Sequence, residues 1–327
     1  MAESAKELDP TTLKAFEHAA AGHHGVMSDP SGELFIKPSA TQEIHFYQQT
    51  FSEHEEFSEL IPTFMGTIKL GAPDVAAIQQ LPEVSEAQKQ QALSHGKKIK
   101  ADTAIVLENL EYGFQHPNVL DLKLGSKLYE EGTEPEKAAR LDKVAAETTS
   151  GSLNFRLAGM KVWNGGSYDI YDKFYGRKFN ADNVKDGFAT FFSGLVTGLA
   201  KDDALHLLEL IRAEIMKIRD ALEHTESRMF SSSILVVYEG DSKTLNALMT
   251  GETRTSGLDG RAPTDSEVQE NSDGEDEDED DPPVAFQVRI IDFAHASWTP
   301  GQGQDDNTIK GLKNIEKQMD QLLAQLG

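Results

Sequence analysis

Apolar and polar residues alternate along residues 116–125, HPNVLDLKLG, placing Leu120, Leu122 and Leu124 on one side and Asp121 and Lys123 on the other. In an extended segment successive side chains point to opposite faces, so this pattern predicts a strand with one face in a core. Its other face presents a carboxylate beside an ammonium. Further apolar runs predict a hairpin from 16–27 and 32–37 around the turn Ser28, Asp29, Pro30, Ser31, and strands at 64–70 and 103–107. A polar, glutamine-rich connection between the last two is expected on the surface. Strands at 157–163 and 167–174 are joined by Asn164, Gly165 and Gly166, a hairpin signal. Buried strands are expected at 231–240 and in the run that ends at Asp292.

The 3.6-residue period appears elsewhere. Glu43, Phe46, Tyr47 and Phe51 predict a helix from Thr41, and Leu205, Leu208, Ile211, Ile215, Ile218 and Leu222 predict one over 202–223. Ile309, Leu312, Ile315, Met319 and Leu322 give the last helix an apolar face from Thr308 onward. Between these lie a basic helix over 135–148 and a short one through Lys185, Asp186 and Gly187. Strands dominate before Leu110, and Glu108, Asn109 and Leu110 read as a hinge from a small β-rich lobe to a larger one.

Composition narrows the function. The chain has 327 residues and no cysteine, which excludes disulfides, thiolate catalysis and cysteine zinc sites. The start, MAESAKELDPTTLK, lacks the basic and apolar regions of a signal peptide. The most apolar window, 188–200, is too short to span a bilayer. A net charge of −24 argues against direct nucleic-acid binding. Much of that charge is local: residues 251–281 carry thirteen acidic side chains against two arginines. Such a segment is expected to be a disordered insertion at about 251–283. It is either merely solvated or a docking site for a basic partner.

The candidate chemistry is that of phosphoryl transfer. A carboxylate and an ammonium side by side can hold a hydroxyl and a neighbouring phosphate, although Asp121 and Lys123 can equally be a solvated ion pair. Lys37 ends a strand and Glu43 starts the next helix, where the two can pair as kinases pair the lysine that touches ATP phosphates. Asp292, at the mouth of an apolar strand, suits magnesium, a hard cation that keeps part of its hydration. It also suits a plain strand-end cap. Lys137, Arg140 and Lys143 share one side of the basic helix, as a solvated face or a site for a multiply phosphorylated substrate.

Taken together, PNVLDLKLG resembles the PxxxDxKxG signature of the inositol polyphosphate kinase family, SSSIL its Ser-Ser-Leu-Leu element and IDFAH its metal-binding element. FIKP followed by QEIHFY, and FYGR followed by KDG, also match, so the resemblance runs from about residue 20 to 326. A departure is isoleucine for the first leucine of SSLL, which should preserve burial. The short N-terminal segment and the acidic insertion look most like the fungal multikinase branch; inositol hexakisphosphate kinases, which make pyrophosphates, are the nearest alternative. No HRD loop, GxxxxGK[ST] loop or GxGxxG turn is present to support another route to a nucleotide.

The resemblance implies an α+β, two-lobed kinase-like fold: a leader at 1–12, an N-lobe at 13–110 and a C-lobe at 111–327, with ATP in the cleft. It implies that Lys37 contacts ATP phosphates, Glu43 orients Lys37, and Glu108 and Leu110 meet adenine through their backbones. Asp292, with Ser233, would hold Mg2+. Asp121 would orient the accepting hydroxyl or the ATP ribose, and Lys123 would hold a substrate phosphate. Lys127, Lys137, Arg140, Lys143, Arg177, Lys185 and His295 are candidates for gripping inositol phosphates. The implied activity is ATP-dependent phosphorylation of inositol tris- and tetrakisphosphate towards the pentakisphosphate, in nucleus and cytoplasm. A second function, as a scaffold for transcription factors through the acidic segment, could coexist with it.

Overall fold

The computed structural model describes residues 12–16, 25–69, 103–250 and 284–327. The acidic insertion, nearly all of the leader and the glutamine-rich connection lie outside the described residues.

Two antiparallel sheets organise the chain. The first contains β1 (Lys14–Ala15), β2 (Met27–Ser28), β3 (Leu34–Pro38), β4 (Phe64–Lys69) and β5 (Thr103–Glu108) in the order β1-β2-β3-β5-β4. The second contains β6 (Pro117–Leu124), β7 (Phe155–Trp163), β8 (Tyr168–Tyr171), β10 (Ser233–Glu239) and β11 (Phe286–Ile291) in the order β11-β10-β6-β7-β8. A small ribbon pairs β9 (Ser227–Met229) with β12 (Ala296–Trp298). Chain segments far apart in sequence therefore become neighbours around β6.

The signature strand is central, and its alternation has the expected meaning. Leu120, Leu122 and Leu124 are fully buried in the main core, with the helix Asp306–Leu326 packed on their strand and the apolar stripe of the helix Lys201–Glu223 in the same core. Burying such side chains stabilises by about 2 kcal/mol each, enough to hold the strand's register. In the helix Lys201–Glu223 the buried stripe is Ala204, Leu207, Leu208, Ile211, Ile215, Ile218 and Leu222. Leu205 sits at the edge of that stripe, half-buried. Arg219 Nε, 2.6 Å from Glu316 Oε1, ties this helix to the last one.

Several predicted boundaries move for local reasons. Most of the predicted first arm of the early hairpin lies outside the described residues; the strand that enters the turn is Met27–Ser28, and Asp29 makes that turn a broad one. Its carboxylate accepts from the backbone of Ser31, Gly32 and Leu34 at 3.2, 3.1 and 3.0 Å. The basic helix ends at Ala146, and Thr148, in an extended conformation, caps a separate short helix, Thr149–Leu153. β8 stops at Tyr171 because Asp172 caps Lys173–Gly176. β10 starts at Ser233 rather than Ser231, since Ser231 has φ 60° and leaves the extended region. The short helix at Lys185 is longer than expected, Val184–Phe191.

Helix α1 (Thr41–Glu53) follows β3 and packs on the segment after β11. Phe46 stacks on Phe293 at 4.6 Å and on Trp298 at 5.3 Å between ring centroids. A helix from the first half of the chain is thus seated beside Asp292.

Candidate active site

Lys37, Glu43, Lys123 and Asp292 meet at the junction of the two sheets. α1 begins after Ala40 and brings Glu43 back to Lys37, with Nζ 2.9 Å from Oε1. Glu43 is buried; its Oε2 accepts from Ser39 Oγ at 3.0 Å and its Oε1 from the Phe293 N–H at 3.2 Å. Asp292 follows β11 with φ 67°, a left-handed conformation that aspartate tolerates better than most residues. Its Oδ1 lies 2.9 Å from Lys37 Nζ and its Oδ2 2.9 Å from Lys123 Nζ. Lys123 also donates to the Ser231 carbonyl at 2.9 Å, a contact that the left-handed turn at Ser231 makes available.

The charges in this cluster support one another. Burial alone would lower the Lys37 ammonium, but Asp292 and Glu43 outweigh it and raise its pKa above the usual lysine value. Lys37 is therefore a fixed positive charge at every physiological pH. With two ammoniums against two carboxylates the cluster is balanced, and removing one member leaves a partly buried charge uncompensated.

The polar face of β6 supplies the floor. Lys123 stands opposite Ser233 on β10, and Ser233 opposite Ile291 on β11, so the three lie abreast on one face. Asp121, on the same face, is only 1% exposed, which makes it a buried carboxylate and not a solvated one. Arg156 faces Lys123 from β7; burial pushes its guanidinium down to about 10, with Asp121 opposing that shift and Arg177 adding to it. Sequence reading missed Arg156, whose place beside Asp121 depends on a register shift between β6 and β7 that no local pattern announces.

The glycine of the signature has a steric reason. Gly125 has φ +92°, and a Cβ there would run into the Asn307 side chain. Asn307 Oδ1 accepts from the N–H groups of Ser126 and Lys127 at 2.9 and 3.0 Å, while its Nδ2 donates to the Lys127 carbonyl at 3.0 Å. The Gly125 N–H reaches the Asn154 carbonyl at 2.7 Å. Two asparagines thereby hold the loop that leaves the end of β6.

Above this floor is an open cleft, with about 530 Å³ of space when the solvent at its mouth is included. Phe35, Leu107, Leu110, Leu235 and Ile291 give it apolar walls, with Lys37 and Asp292 among its lining residues. A flat apolar slot ending in charge fits a nucleotide: a base between hydrocarbon walls, phosphates at the polar end. Glu108 and Leu110 line it where β5 ends. The Glu108 carboxylate is engaged by Thr63 Oγ1 at 2.6 Å and its N–H by the Thr63 carbonyl at 3.0 Å.

A family model described as inositol polyphosphate kinase matches residues 104–320. The chain belongs to the inositol polyphosphate kinase family. It is 30% identical over 343 residues to the inositol polyphosphate multikinase of Saccharomyces cerevisiae, covering 92% of this chain and 96% of that one. The corresponding Schizosaccharomyces pombe multikinase is 29% identical, covering 93% and 95%. Inositol hexakisphosphate kinase 1 of Rattus norvegicus matches at 30% but over 70% of this chain and 54% of its own length. In three dimensions the chain is similar to the crystal structure of inositol phosphate multikinase Ipk2 from S. cerevisiae in complex with ADP and Mn2+. The TM-score is 0.65 at 26% identity, covering 89% of this chain and 100% of that one. The fold is accordingly the α+β, two-lobed kinase-like one.

His295, three residues beyond Asp292, has Nδ1 2.8 Å from Glu130 Oε1 and Nε2 3.5 Å from Lys137 Nζ. Lys127 lies over the rings of Tyr129 and Phe230, each at 5.7 Å. The other predicted cations are dispersed. Lys143 is exposed and faces Glu147 at 3.8 Å, Arg140 and Lys185 are exposed, and Arg177 lies 5.6 Å from the Phe174 ring.

A divalent ion suits the donors at the end of β11. Ser233 Oγ is buried without a hydrogen-bond partner among the described residues, and it shares the cleft face with the strand that leads into Asp292. A hydroxyl and a carboxylate are hard oxygen donors, and magnesium-type ions use few protein ligands when substrate phosphates supply the rest. Among the described residues no cluster of three or more His, Asp or Glu side chains forms a self-sufficient metal cage.

Proposed function

We propose that this protein is an ATP-dependent inositol polyphosphate multikinase that phosphorylates hydroxyls of inositol tris- and tetrakisphosphate towards the pentakisphosphate. The observation that carries this reading is the Asp292 carboxylate joining Lys37 of the first sheet to Lys123 of the second, at the charged end of an apolar cleft. The similarity to two yeast multikinases over more than nine-tenths of the chain supports it.

In this reading ATP enters the cleft with adenine between the apolar walls, near the backbones of Glu108 and Leu110. Lys37, steadied by Glu43, neutralises phosphate charge, and Lys123 holds the oxygens of the transferring group or of the acceptor. Asp292 and Ser233 would hold Mg2+, which when bound would supply charge neutralisation on the nucleotide phosphates. The acceptor hydroxyl attacks the γ-phosphorus in line: a new oxygen–phosphorus bond forms, the bond to the bridging oxygen breaks, ADP leaves, and the hydroxyl proton is released to solvent. No covalent enzyme intermediate is needed, so alignment and fixed charge do the catalysis. Asp121 orients the acceptor hydroxyl or the ATP ribose. Lys127, Lys137 and His295 receive the acceptor's phosphates, with Arg140, Lys143, Arg177 and Lys185 as outer cations.

The test is incubation of purified protein with magnesium ATP and inositol 1,4,5-trisphosphate, with products separated by phosphate number. Stepwise appearance of tetrakis- and pentakisphosphate is expected, and Asp292→Ala should abolish it. Transfer only to the hexakisphosphate would instead indicate a pyrophosphate-forming kinase. We also propose that the acidic segment 251–283 docks a basic or transcription-factor partner and that the protein works in nucleus and cytoplasm. A fluorescent fusion excluded from nuclei, or a deletion of 263–281 that halts turnover, would reject that division of labour.

A further inference from the structure

Glu130 lies outside every motif that the family resemblance uses, in the loop after Gly125, yet it sits where the two halves of the site meet. Its Oε1 is 2.8 Å from His295 Nδ1, and its Oε2 accepts from Gln42 Nε2 at 3.2 Å. Gln42 Nε2 is also 3.4 Å from the Ala296 carbonyl. On the far side of the ring, Lys137 Nζ is 3.5 Å from His295 Nε2.

The donor inventory of these groups decides the imidazole's state. An ammonium can only donate and an ionised carboxylate can only accept, so between Lys137 and Glu130 the ring accepts at Nε2 and donates at Nδ1. Glu130 is ionised at neutral pH: burial would raise it, but the hydrogen bonds from His295 and Gln42 and the charge of Lys137 bring it below the ordinary 4.5. The opposite tautomer would set a lone pair against the carboxylate and an N–H against the ammonium.

We infer that Glu130 is a positioning residue for the acceptor side, holding His295 in the Nδ1–H tautomer, and that Gln42 holds Glu130 from helix α1. Gln42 immediately precedes Glu43, the partner of Lys37. The helix that fixes the donor-side lysine therefore also fixes the acceptor-side imidazole, and the two sides are set together. This inference rests on the functional reading above, in which His295 meets an inositol phosphate. Glu130 and His295 are each about one-third exposed, so their pairing adds little to folding stability. A kinetic effect at Glu130 is then an effect on geometry.

The experiment compares the full-length protein with Glu130→Ala, Glu130→Gln and Gln42→Ala. Loss of a charge-assisted hydrogen bond should raise KM for inositol 1,4,5-trisphosphate about tenfold in Glu130→Ala, with KM for ATP held within about twofold. Glu130→Gln, which keeps an oxygen for Nδ1, should fall between wild type and Glu130→Ala, and Gln42→Ala should raise the same KM by about threefold. Nitrogen-15 imidazole shifts of the free protein, assigned with His295→Gln, should show Nδ1–H in wild type and a tautomer mixture in Glu130→Ala. An unchanged KM for the trisphosphate, an equal rise in KM for ATP, or an unchanged tautomer in Glu130→Ala would overturn the inference. If the wild-type protein transfers no phosphate to any inositol phosphate, the functional reading fails, and the imidazole signal still decides whether Glu130 sets the ring.

Discussion

Lys123 Nζ lies 2.9 Å from Asp292 Oδ2 although 169 positions separate the two residues in the chain. The other oxygen of the same carboxylate holds Lys37, 255 positions away. One aspartate thus spans both sheets, and its two lysines mark the path along which phosphate charge would be neutralised.

Lys123→Met should reduce kcat by about a hundredfold or more, as expected when a positioned donor to developing charge is lost. The KM for ATP should change far less, because Lys37 keeps both of its carboxylates. Steady-state kinetics in both substrates measure the split.

Phe293→Leu keeps an apolar side chain next to Asp292 but removes the stacking on Phe46 and the edge contact with Tyr47 at 5.3 Å. The expected cost is roughly 1–2 kcal/mol of stability. Because the Phe293 N–H also anchors Glu43, kcat should fall further than that loss implies. Thermal melts and turnover on the same sample separate the two effects.

Gly125→Ala forces a Cβ into a left-handed position and into the Asn307 amide. A destabilisation of roughly 2 kcal/mol or more is expected, seen as a lower midpoint in urea. Gly113, also at positive φ but with open space around its Cβ position, is the control: its alanine variant should lose less.

Stability should fall in acid partly through Asp29. Burial raises its pKa, but hydrogen bonds from the Ser31 side chain and from the backbone of Leu34, Ser31 and Gly32 outweigh this and hold it below the ordinary 3.8. A carboxylate depressed on folding contributes stability that is present above 3.8 and lost as pH falls through the lower folded value. Asp29→Asn should therefore melt lower than wild type at pH 6, with the gap closing as pH falls below 3.8. A gap that stays constant with pH would assign the role to the side chain's shape.

What could be read beforehand follows from how locally each feature is encoded. Leu120, Leu122 and Leu124 announce their face because strand alternation is a property of neighbours, and Ile211, Ile215 and Ile218 do the same for a helix. Lys37, Glu43, Asp121, Lys123 and Asp292 were legible as motif residues in order. Glu130 was not, since it belongs to no motif or periodic pattern, and its meeting with Gln42, the first residue of QEIHFY, needs the chain to close over 88 positions. Arg156 reaches Asp121 only through the paired register of β6 and β7. Asp121 was open to reading as a solvated ion; its burial depends on β7 and β10 covering it from both sides. Ser231 reads as strand in the sequence because nothing about serine advertises a left-handed turn.

Asn307, which closes the loop after Gly125 from 180 positions downstream, sets an order of assembly. A chain emerging from the ribosome can pair β6 with β7 early, but the loop after Gly125 has no clasp until the first turn of the last helix has been made. Prematurely terminated products that stop before that turn should therefore leave the backbone of Ser126 and Lys127 untied.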